Sequence, residues 1–170
     1  MGTYLSKPLK ELENVPPTIF AKYFDSKFKG LALGISGDMS RNLLWRLQNG
    51  ELPETIHPKV IWVLIGTSDV VFFGKSGAGF RSAWCSAELV VVGIVRVLEE
   101  LRHRKPDAMI VVNGLLPRAF HPEGHVAAKK STTTATDFPP LYTDQMITVN
   151  KELSRYANAH DKVHYFESEV

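Results

Sequence analysis

The chain is short of cysteine, of net charge and of long apolar runs, and each shortage removes a class of function. Cys85 is its one cysteine. An internal disulfide is therefore excluded, and a reducing, cytoplasmic setting is the expectation. No apolar run approaches the roughly 18 residues of a membrane span. The first 17 residues, MGTYLSKPLKELENVPP, are polar and proline-rich, without the apolar centre of a signal peptide. Gly2 and Ser6 fit a short acylation pattern, but a plain exposed terminus is the simpler reading. Lys plus Arg number 20 against 18 Asp plus Glu, a formal charge of +2. That supplies no strong field for nucleic acid, so none is expected as a partner.

Several motifs fail on inspection. Gly74-Lys75-Ser76 suggests a phosphate loop, but the glycine required five residues earlier is Asp69. His121 and His125 have helical spacing, yet Pro122 and Gly124 interrupt it, so no metal pair is expected. Cys85 and His103 carry no catalytic signature; a small buried residue and a helix-end cation describe them.

What is present is an ordinary globular composition, 44% hydrophobic and 22% charged over 170 residues. One domain is expected over 18–170, preceded by a polar segment over 1–17. TIFAKYF (18–24) has the spacing of a short helix. KGLALGI (29–35) predicts a short buried strand, and PKVIWVLIGTSD (58–69) contains a run suited to a strand buried on both faces. Helices are predicted over 39–49, 86–104 and 143–158. Asp38 and Ser40 are cap candidates for the first of these, and Gly50 is its stop. Further strands fall near 108–113 and 162–166. A glycine-rich loop is expected at 72–84 and a long polar loop at 121–140. Strands alternate with helices, the pattern of an α/β fold on a mostly parallel sheet.

Such sheets hold ligands beyond the carboxyl ends of their strands. The loops there are Gly34–Ser40, Gly66–Ala83 and Asn113–His125. In the first, Gly37 can turn the backbone sharply and point an N–H at an anion, or simply make a capped strand-to-helix turn. Asp161 and His164 match the D-x-x-H spacing of a catalytic acid and base. The alternation of KVHYF instead makes His164 a strand residue.

Three stretches, LGISGDMSRNLLWRLQNGEL, PKVIWVLIGTSD and IVVNGLLPR, together resemble the SGNH (GDSL-type) hydrolases, closest to the intracellular acetylhydrolase branch. The resemblance runs over roughly 18–168. It implies a flavodoxin-like three-layer α/β/α fold. It also implies cofactor-free hydrolysis of a small acyl ester, of a lipid or a carbohydrate, by a serine nucleophile. A possible partner is a second copy, since acetylhydrolase-type members form dimers. The oxyanion donors implied are Gly37 and, in the place of an asparagine, Ser68. Gly37, Ser68 and Asn113 are expected to cluster at the carboxyl edge, beside the loop carrying Arg118.

The chain departs from the family pattern in three ways. Neither Ser6 nor Ser26 follows the Gly-Asp pair that marks the nucleophile, and the first strand is expected to be missing. Ser68 has a shorter reach than a carboxamide, and loss of one such donor lowers turnover on the order of 100-fold to 1000-fold. In the family the D-x-x-H follows the last strand, whereas Asp161 and His164 overlap it. The expectation is a family scaffold without activity, or a binding or dimerisation domain derived from one. It should also have an unpaired sheet edge and marginal stability.

Overall fold

The computed structural model describes residues 26–28, 30–74, 86–116 and 143–167. The polar segment over 1–17, the TIFAKYF helix, most of the glycine-rich loop and all of the polar loop over 121–140 lie outside the described residues. So do Gly2, Ser6, Ser76, Cys85, Arg118, His121 and His125.

The chain divides into two units, Met1–Ser36 and Gly37–Val170. In the first, a short helix α1 (Ser26–Phe28) precedes residues 30–36, which form no strand. Leu31, Leu33 and Ile35 are exposed. This corrects the strand expected over 29–35. Alternation of large residues with Gly and Ala gives one apolar side, but a strand exists only where a ladder partner takes up its backbone groups. The three-stranded sheet of the second unit does not include this segment.

In the second unit the elements are α2 (Ser40–Gln48), β1 (Val60–Val63), α3 (Thr67–Gly74), α4 (Ala87–Arg104), β2 (Met109–Asn113), α5 (Thr143–Asn158) and β3 (Val163–Phe166). The sheet order is β1-β2-β3, all parallel. Val60 pairs with Met109 and Val63 with Val112; Ile110 pairs with Val163 and Asn113 with Phe166. This is the expected parallel α/β class.

The strand expected within 58–69 is β1, and it ends before Gly66. Gly66 adopts φ +117, a conformation that favours glycine, and a Cβ there would lie 2.6 Å from Ile94 Cδ1. The chain turns at that glycine and enters α3, which replaces the first part of the expected glycine loop. At the other end of α2, Gly50 at φ +98 ends the helix, as expected.

Period two in the strands and period 3.6 in the helices build one core. Val63, Ile110, Val112 and Val163 meet Leu47 of α2, Val90, Ile94, Val97, Leu98 and Leu101 of α4, and Met146, Val149 and Leu153 of α5. The alternate strand positions Val60, Trp62, Met109 and Phe166 are exposed. Among the described residues, then, the helices draw their packing from one face of the sheet.

Candidate functional site

β1 and β2 are parallel, so their carboxyl ends open onto the same edge. There Gly66 leads into Ser68 and Asp69, and Asn113 leads into Gly114 and Leu115. The turn Gly37–Met39 leads into α2, and a polar junction ties its first helical residue to this edge. Asp69, 5% exposed, accepts the Ser40 N–H at 2.9 Å (Oδ2) and 3.2 Å (Oδ1), and the Ser40 hydroxyl at 2.5 Å (Oδ1). A carboxylate at a helix N-terminus meets amides that have no intrahelical partner, and the helix dipole favours its charge.

The expected caps are corrected here. Met39 holds the cap position, its N–H donating to Asn42 Oδ1 at 3.1 Å, while Ser40 is already helical. Asp38 turns instead to Arg46, which also binds Glu51. All three side chains are mostly buried, and the two carboxylates together outweigh the cost of burying the guanidinium and hold its pKa above the ordinary value. The result ties the Gly37 turn to the far end of the same helix.

Gly37 lies at φ +83, is exposed, and has no heavy atom within 4 Å of where a Cβ would stand. The backbone conformation, and not crowding, is what asks for glycine there. Ser68 is half-buried in the first turn of α3, one residue before Asp69. Asn113 is 8% exposed at the end of β2. Its Oδ1 accepts Trp62 Nε1–H at 3.2 Å and its Nδ2 donates to the Gly114 carbonyl at 2.7 Å. Trp62 meets Phe166 at 5.0 Å between ring centroids, tilted by 58°.

The loop after β2 is fixed by a residue that sequence reasoning missed. Asn150 of α5 accepts the Leu115 N–H at 2.7 Å and donates to the Leu115 carbonyl at 3.0 Å. An amide beside the buried stripe Met146, Val149 and Leu153 was the available signal. Gly114 fits because a Cβ would stand 2.6 Å from the Tyr165 hydroxyl. Burial, and then the charge of Glu167, raise the Tyr165 pKa, which keeps that hydroxyl neutral.

Asp161 is exposed, ahead of the amino end of β3, and His164 is exposed within the strand, paired in register with Val111. Parallel strands place Asp161 at the end of the sheet away from the Ser68 turn. Ser26 begins α1, in the other unit. His103 is exposed in the last turn of α4. Among the described residues no His, Cys, Asp and Glu cluster could hold a metal, and no helix is long and apolar enough to cross a membrane.

No protein-family model matches the chain. Curated relatives do. It is 40% identical over 97 residues to the platelet-activating factor acetylhydrolase IB subunit alpha1 of Bos taurus, covering 57% of this chain and 36% of that protein. Against the alpha2 subunit of Homo sapiens the figures are 41% over 97 residues, 57% and 36%. Against the alpha2 subunit of Rattus norvegicus they are 35% over 127 residues, 74% and 49%. The chain thus spans between about a third and a half of the length of these relatives. Over the matched stretch it is homologous to these acetylhydrolase subunits.

Proposed function

We propose that these residues form the oxyanion-binding part of an SGNH-type ester-hydrolase site, and that the 170-residue chain alone does not hydrolyse esters. The observation that carries the reading is the Gly37 turn with its exposed, positive-φ backbone, tethered through Ser40 to the turn containing Ser68. Preorganised donors at such a point stabilise the charge that develops on an acyl oxygen. An ester hydrolase of this type also needs a nucleophile and a base within hydrogen-bond reach. No serine in the chain follows a Gly-Asp pair, because Met39 follows the single one at Gly37-Asp38. His164 sits within a strand and Asp161 beyond its amino end. The substrate class this reading carries is a small acyl ester, in a protein of the cytoplasm.

Hydrolysis of p-nitrophenyl acetate tests the reading. The expected rate matches that of an equal concentration of heat-unfolded chain. A saturable, fold-dependent rate would contradict it.

A second reading is a non-catalytic binding or homodimerisation domain. The exposed apolar face at Val60, Trp62, Met109 and Phe166 favours it, since parallel sheets are ordinarily covered on both sides. Sedimentation equilibrium separates the two: a dimer lost on Trp62→Glu supports the second reading, and a monomer rejects homodimerisation.

A further inference from the structure

Helix α4 carries a glycine, Gly93, between the buried Val90 and Ile94. Glycine in a helix interior is about 0.5–1 kcal/mol worse than alanine. Its place here has a cause. A Cβ would run into the Ser40 hydroxyl, with Ser40 Cβ at 3.2 Å and Asp69 Oδ1 at 3.9 Å. Three helices therefore meet at one polar junction beside an apolar core: α2 through Ser40, α3 through Asp69 and α4 through the space Gly93 leaves. Both polar residues are almost fully buried, Ser40 at 3% and Asp69 at 5%.

An apolar pair could hold these helices together as firmly. What it lacks is direction. Hydrogen bonds to one carboxylate fix where the first turn of α2 stands against the first turn of α3. The two implied oxyanion donors are close to this junction along the chain. Gly37 is three residues before Ser40, and Ser68 immediately precedes Asp69.

We infer that Asp69 is a positioning residue for anion binding: through Ser40 it sets the Gly37 amide against the Ser68 turn so that both converge on one oxygen. This rests on the oxyanion reading above. Asp69 itself does not touch the anion, because its oxygens are turned to Ser40. The sign of its effect is diagnostic. A nearby carboxylate repels an anion, so neutralising Asp69 would tighten binding if its charge alone mattered. Loss of positioning weakens binding.

The test uses the full chain, labelled with ¹⁵N and titrated with diethyl phosphate while the Gly37 amide resonance is followed. The chain itself should show a saturable Gly37 shift. Asp69→Asn and Ser40→Ala should each weaken the apparent affinity by about tenfold or more, in line with the cost of small misplacements of binding groups. Val97→Ala, which loosens the core without touching the junction, should bind as the unaltered chain does. Should Asp69→Asn fail to fold, Ser40→Ala carries the comparison. Equal or tighter binding by the folded variants overturns the positioning role and leaves the oxyanion reading standing. No Gly37 shift in the unaltered chain overturns both.

Discussion

Replacing Gly93 by alanine should destabilise this protein, against the ordinary preference of helices. The usual gain is about 0.5–1 kcal/mol, from the lower entropy of alanine in the unfolded chain and its higher helix propensity. Here the new methyl group would occupy the space of the Ser40 hydroxyl and press on Ser40 Cβ at 3.2 Å. If Ser40 yields, its bonds to Asp69 weaken, and a bond to a charged group is worth about 1.5–3 kcal/mol. If it does not, overpacking costs about 1–3 kcal/mol. Either route exceeds the propensity gain, so the net loss should be about 1–2 kcal/mol. Urea unfolding read by circular dichroism would show a lower midpoint at unchanged slope. A double-mutant cycle sharpens the test. With Ser40→Ala already in place the hydroxyl is gone, and Gly93→Ala should then cost distinctly less. A Gly93→Ala variant as stable as the unaltered chain, or more so, would refute the three-helix junction.

Other outcomes follow from named contacts. Asn150→Ala removes both bonds to Leu115, so it should cost about 1–3 kcal/mol and speed hydrogen exchange at the Leu115 amide. An unchanged exchange rate there would contradict the clamp. Tyr156 of α5 donates to Glu99 of α4 and stacks on His160 with ring centroids 4.0 Å apart. Burial first, then the bond to Glu99, push the Tyr156 pKa up to about 12. A raised pKa favours the protonated form in the folded state, so that contribution is whole below about pH 10 and is lost as pH rises through about 12. The bond from Tyr156, against some opposition from burial and with help from Arg102, lowers the Glu99 pKa. That contribution is present above about pH 4.5 and lost as pH falls below it. Tyr156→Phe should therefore flatten the fall of the melting temperature at both extremes; a profile parallel to that of the unaltered chain would reject the assignment.

The long helices were legible because each carries several turns of period and its own end signals. Glu88 stands in the first turn of α4 and basic residues fill its last; Gly50 stops α2. The strands β2 and β3 were legible as short apolar runs between helical segments. The failures are of two kinds. Residues 30–35 show a strand pattern, but whether a strand forms depends on a partner distant in sequence, which the pattern does not contain. Helix α3 was missed because a loop was expected from Gly66 onward, and TSDVVFFG is too short and too evenly apolar to show a helical period. At the candidate site, Gly37 was visible through its setting in GISGD. The Ser40–Asp69 bridge was not, since its partners lie 29 residues apart. Nor was the Asn150 clamp, which spans 35. The sequence did hold one trace of the junction, an isolated glycine in the strongest helix, whose use appears only when the hydroxyl of Ser40 is seen against it.

Covalent labelling tests the central claim most directly, that the chain keeps an oxyanion turn but no working nucleophile. A fluorophosphonate probe reacts with a serine only where a base activates it and oxyanion donors receive the charge. Incubated with the folded chain and followed by intact-mass spectrometry, it should leave the mass unchanged. A stoichiometric adduct on any serine, abolished by His164→Ala, would contradict the account and restore Asp161 and His164 as the acid and base.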